Sequence, residues 1–293
     1  HNARTGGVLS LVSDAPHAQH LFRAGDVVYA TSPHRIYVID AQTTTVLKTI
    51  EMGSPVAELA AGASGQRVLA SMPSARAVAV IATDYHAEVA RFYFGDEHVR
   101  AIAIDDTGKR ALTTNGHVPL AGLNPAREAV RYGGMFAFDP SRLPSEQDQV
   151  RTGLVGNPVD IVMMPDSRTS FVVLREEDSI VRLERLESGA VRQHHRMTTC
   201  RQPEQLELIR NGRRGIVRCN AGHAIELIDL EHNELIRHVP LNGRVSDMAV
   251  SPDGKQAVLV IPHDGSGVIG MLDLESYELS LHEVNAEPHR VEL

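Results

Sequence analysis

Apolar and polar residues alternate along this chain in short bursts separated by tight polar turns. MAVSPDGKQAVLV, Met248 to Val260, displays the unit: a short strand, a Pro-Asp-Gly turn and a second alternating strand. Pro fixes φ, and Gly accepts the positive φ that such a turn demands. The same grammar recurs as LAAGASGQRVLAS from Leu59, IAIDDTGKRALTT from Ile102, IVMMPDSRTSFVVL from Ile161 and LELIRNGRRGIVRC from Leu206, with HLFRAGDVVYATS from His20 as a weaker copy. The equivalent turn positions are Gly25, Gly65, Gly108, Ser167, Gly212 and Gly254, at roughly 40-residue steps, with a longer step of about 60 after Gly108.

Each unit continues into a third strand that often ends in Asp, as in RIYVID to Asp40, MFAFD to Asp139, IELID to Asp229 and GMLD to Asp273. Asp at such a place caps backbone N–H groups of the following turn. A fourth strand follows, as in TVLKTI from Thr45 and ELIRHV from Glu234. Four short strands per unit predict an all-β chain, a single β-propeller of four-stranded antiparallel blades over residues 1–293. Its units begin near residues 16, 55, 98, 158, 203 and 244. Further strand-like segments at 6–12 (GGVLSLV) and 288–293 (PHRVEL) would close the ring from the two termini. They favour seven blades, and six remain possible.

These repeats resemble the bacterial YVTN-type propeller family, whose consensus is close to AVSPDGKRLYVTN. The resemblance spans nearly the whole chain. It implies a propeller fold and, because the family holds mostly binding and scaffold proteins, a binding role.

Composition narrows the alternatives. The chain carries 29 basic and 37 acidic residues, a net charge of −8, which gives no electrostatic footprint for nucleic acid. Its longest wholly apolar run, Ala77 to Ala82, is too short to span a bilayer. The polar start at His1 fits an export signal already removed. Trp is absent, which weighs against WD40 blades and Trp-docked quinoprotein propellers.

Candidate chemistry gathers in the connections. The second-to-third and blade-to-blade connections share one end of the blades, the top. Nine residues on from the turn position stand His34, His117 and His263. Imidazole is the commonest metal ligand, so these could line a rim that binds a divalent metal or an anion; exposed loop histidines tolerated by a shared repeat are the plainer reading. No HxxxH or HExxH motif supports a metal, and no cofactor is called for. Seven residues before the turn stand Glu58, Asp160 and Asp247 on first strands, a partial acidic ring at the channel mouth or simply polar residues facing water. The insertion NGHVPLAGLNPAREAVRY presents Arg127 and Arg131 on the same end, where a long loop is usually functional or mobile.

Cys200 enters the fifth unit and Cys219 ends its second strand, so both sulfurs fall near one top edge. A disulfide there would close a loop of about twenty residues, worth on the order of 3 kcal/mol, and would imply an oxidising compartment. Two separate buried thiols are the alternative. The placement also resembles a disulfide in propeller subunits of bacterial quinone-cofactor amine dehydrogenases. With no Trp to form a cofactor, that resemblance implies a non-catalytic subunit.

The expected function is a non-enzymatic ligand- or protein-binding scaffold of the bacterial periplasm or cell surface, meeting a small ligand or protein partner on the top face. The alternatives are a propeller lactonase using a channel-mouth metal and an accessory subunit of a periplasmic redox enzyme.

Overall fold

The computed structural model describes residues 15, 20–62, 64–95, 98–115, 132–144, 150–187, 191–209, 212–263 and 266–284. These fall into two compact units, 54–206 and 1–53 with 207–293. Regular structure among them is almost entirely strand, with one 3-10 turn at Pro73–Ala75.

Six four-stranded sheets follow one another along the chain, the blades of a β-propeller. Blade one holds β1 (His20–Ala24), β2 (Val27–Ser32), β3 (Arg35–Asp40) and β4 (Val46–Glu51). Blade two holds β5 (Glu58–Ala61), β6 (Arg67–Met72), β7 (Ala77–Ala82) and β8 (Ala87–Tyr93). Blade three holds β9 (Val99–Ile104), β10 (Ala111–Asn115), β11 (Tyr132–Phe138) and β12 (Val150–Val155). Blade four holds β13 (Pro158–Met163), β14 (Thr169–Leu174), β15 (Ser179–Arg185) and β16 (Val191–Thr198). Blade five holds β17 (Pro203–Ile209), β18 (Arg214–Cys219), β19 (Ala224–Asp229) and β20 (Glu234–Pro240), and blade six β21 (Asp247–Val250), β22 (Gln256–His263), β23 (Ser266–Asp273) and β24 (Leu279–Val284). Within every sheet the strands pair in chain order.

The favoured count of seven is corrected to six among the described residues. Blade one takes all four strands from 20–51 and blade six all four from 247–284, so neither borrows a strand from the opposite terminus. Segments 6–12 and 288–293, and the ring closure assigned to them, lie outside the described residues.

Burial explains the strand patterns. β14 is buried along its whole length, and β7 at every position but its last, as inner strands with both faces withdrawn from water. In β9 alternate side chains serve opposite sides: Ile102 and Ile104 pack with Phe92, Phe94, Phe136 and Phe138, while Ala101 and Ala103 pack with Ile161, Val172 and Val181. The Phe92 and Phe138 rings lie 4.7 Å apart, and a ring so withdrawn from water contributes on the order of 2 kcal/mol. Fourth strands do the opposite. β16 and β20 are exposed over most of their length, which is why they read as polar in sequence.

All six turn positions picked from the repeat sit in the left-handed region: Gly25, Gly65, Gly108, Gly212 and Gly254, with Ser167 at φ 55°. The third-strand aspartates cap as expected. Asp40 accepts from the Gln42 and Thr43 N–H groups, Asp229 from Glu231 and His232, and Asp273 from Glu275 and Ser276. These bonds to the charged form hold all three carboxyls below the usual range.

Two predictions follow from the turns. A Cβ on Gly65 would meet no atom, so Gly65→Ala should cost only left-handed strain, about 1–2 kcal/mol. A Cβ on Gly62 would run into the Asp105 carbonyl of the next blade, so Gly62→Ala should cost clearly more, as read from urea unfolding of the two variants. The second concerns acid. A carboxyl whose pKa is depressed by folding leaves the unfolded chain binding more protons, so its stabilisation is present above the unfolded pKa of about 4 and is lost as pH falls through the lower folded value. Unfolding midpoints measured below pH 4 should therefore fall less steeply in a D40N/D229N/D273N variant than in the wild type.

Candidate functional site

In unit 54–206 the top end is built by the β14–β15 connection, the β12–β13 connection and the segment entering β17. Arg175, Glu176, Glu177 and Asp178 form the first of these. Asp178 is left-handed at φ 47°, and its Oδ1 accepts from the Gln202 N–H at 2.7 Å while its carbonyl accepts from Thr199 at 2.8 Å. Glu177 lies against Gly156, where any Cβ would meet its carboxylate, and accepts from the Asn157 N–H at 3.3 Å. The glycine is therefore needed for the carboxylate to reach that N–H. These bonds fix the loop that carries Arg175.

Arg175 Nη2 pairs with Glu204 Oε1 at 2.8 Å, and the Glu204 side chain is only 7% exposed. The Arg175 Nε is buried and has no hydrogen-bond partner. Beside it, Arg100 is half-buried. Burial and the neighbouring Arg175 charge hold the Arg100 guanidinium below the ordinary arginine range, while Glu204 and Glu58 pull the other way. Arg175, Glu176, Asp178, Arg201 and Gln202 line an open polar pocket of about 420 Å³ at this end.

A bulge brings Arg100 here. Thr113 pairs with Ile102 and Asn115 with Val99, so Arg100 and Ala101 together stand opposite Thr114. The backbone freed by the bulge is satisfied by two hydroxyls: the Ala101 N–H donates to Thr114 Oγ1 at 3.1 Å, and Thr113 Oγ1 donates to the Ala101 carbonyl at 3.0 Å.

The candidates picked from sequence separate. Glu58 opens β5 within range of Arg100. Asp160 is committed to the backbone: one carboxylate oxygen accepts from Ile161 at 2.8 Å and the other from Leu206 at 2.7 Å, tying β13 to the start of β17. Asp247, 6% exposed, opens β21 in the other unit. His34 is exposed in the β2–β3 turn of that unit. His117, Arg127 and Arg131 lie outside the described residues, as does the side chain of His263. Cys200 and Cys219 are disulfide-bonded.

Arg100, Arg175 and Glu204 were not singled out from sequence. Counting back from Gly108 lands on Ala101, one residue from Arg100, and counting on from Ser167 lands on Glu176, one residue from Arg175. The Thr113-Thr114 pair was the available signal, because two adjacent hydroxyls can serve the backbone of a bulge.

No family model matches the chain and no curated protein matches it, so the likeness to YVTN repeats rests on the repeat residues themselves. Solved structures do match. A functionally unknown protein from Desulfotomaculum acetoxidans is 15% identical, with a TM-score of 0.67 over 85% of this chain and 76% of that one. A candidate 6-phosphogluconolactonase from Bacteroides fragilis is 13% identical, with a TM-score of 0.67 over 94% of this chain and 86% of that one. At these identities the likeness is one of fold, and with the six four-stranded sheets it makes the chain a β-propeller.

Proposed function

We propose that this protein is a binding β-propeller whose site at the top of unit 54–206 takes a small ligand bearing a carboxylate or phosphate. The observation that carries this reading is the pair Arg100 and Arg175. Two guanidiniums that repel each other are brought together with partial desolvation, and one buried N–H is left without an acceptor. Such an arrangement costs free energy unless an anion completes it. Planar guanidiniums suit the paired oxygens of carboxylate and phosphate. Glu204 holds Arg175 in place, and Glu58 lies within electrostatic range of Arg100. The bonded Cys200 and Cys219 support an oxidising compartment, periplasmic or extracellular, for the working protein.

Thermal unfolding in citrate and in inorganic phosphate tests this. Both ions raise midpoints nonspecifically, so Arg100→Gln is the control. At a hundredfold excess over Kd the wild type should gain about 5 °C beyond R100Q. Equal shifts in the two proteins would contradict the reading. Turnover of a phosphorylated sugar lactone by the wild type would instead favour the hydrolase alternative.

A further inference from the structure

A second cavity lies at the opposite end of the same unit, between blades three and four. It has a volume of about 390 Å³ and an apolar floor that includes Leu112, Ala137 and Met163. Among the described residues five cations line it, Lys109, Arg110, Arg142, Arg168 and Arg185, against one acid, Asp139. In a chain of net charge −8 this is a strong local reversal.

Among the described residues, most of that charge has no carboxylate partner. Arg142 pairs with Asp139 at 3.2 Å, and Arg168 pairs with Glu184 at 2.9 Å, a carboxylate that Arg192 also uses. Arg110 reaches only the Ser167 carbonyl, at 3.5 Å. Among the described residues no carboxylate pairs with Lys109, Arg110 or Arg185.

The repeat alone does not account for the cluster. It puts cations after several first-to-second strand turns, as in Lys109 and Lys255. The third-to-fourth strand turns 41–45, 83–86, 230–233 and 274–278 contain no Lys or Arg. Blade three differs, because Arg142 lies in its third-to-fourth strand turn, and in blade four Arg185 ends β15 just ahead of that turn, so further cations join the groove.

The groove is open rather than enclosing. The Arg142 and Arg168 side chains are 70% and 59% exposed and form a rim. A small ligand binds tightly by burying most of its surface, which such a groove does not offer. An extended peptide uses an open groove well, with carboxylates on the rim and apolar side chains on the floor. Leu143, 83% exposed, and Val150, 42% exposed, add apolar surface beside it.

We propose that this groove docks an acidic segment of a partner protein, one in which carboxylates alternate with apolar side chains. It is independent of the anion site, since Arg100 sits at the other end of β9.

The test is fluorescence anisotropy with a labelled heptapeptide of alternating glutamate and leucine. The wild type should bind it, and affinity should fall about tenfold in R110Q/R185Q and on raising salt to well beyond screening of exposed charges. Circular dichroism checks that the variant is folded, and Lys109→Gln, on an exposed turn, provides a second reading if it is not. R100Q should bind like wild type. The proposal is overturned if the peptide does not bind, if the groove variants bind it unchanged, if its glutamine counterpart binds equally, or if an oligonucleotide of matched charge displaces it with higher affinity.

Discussion

Each blade must bury both faces. That requirement governs where every other kind of residue can go. It turns β7 and β14 into nearly unbroken apolar strands and sends alternate side chains of β9 into two different cores. It also forces close backbone approach, as where Gly62 meets the Asp105 carbonyl. With the faces occupied, charged groups gather at the strand ends and on the exposed fourth strands, with Arg218 and Glu226 as buried exceptions on inner strands of blade five. The two proposed binding regions are both strand-end features of blades two to four for this reason.

At the top of unit 54–206 the charges are arranged at some cost. A carboxylate as buried as Glu204 is sustained by its bond to Arg175, and breaking such a pair leaves an uncompensated charge. Arg100 has no equivalent direct bond among the described residues and feels Arg175 as a repulsion. The surrounding loop is rigidly tied, through Asp178 to Gln202 and Thr199 and through Glu177 to Asn157. The two arginines therefore cannot easily separate to relieve the repulsion. A preorganised pair with a buried N–H still lacking an acceptor is what anion recognition can use.

The blades were legible in sequence because their turns need left-handed backbone, which only a few residues supply cheaply. Gly25, Gly65, Gly108, Gly212 and Gly254 announced themselves, and even Ser167 was found by its spacing. The capping aspartates were legible for a similar reason, since Asp40, Asp229 and Asp273 act within their own turns. The site was less so. A bulge at Arg100 moves the register by one residue, and counting from the turn then names Ala101 instead. Asp160 carried the right charge at the right count, but its oxygens serve the backbone of Ile161 and Leu206, a commitment no linear pattern reveals. The preference for seven blades over six rested on segments 6–12 and 288–293, outside the described residues, where alternation marks a candidate strand but names no partner.

The most direct test of the account is a crystal structure of the protein grown in citrate. A carboxylate should appear between the two guanidiniums, accepting from the Arg175 Nε and from Arg100, with the Arg175–Glu204 pair intact. A structure in which Glu58 has swung over to bond Arg100 directly, leaving no anion density beside Arg175, would contradict it.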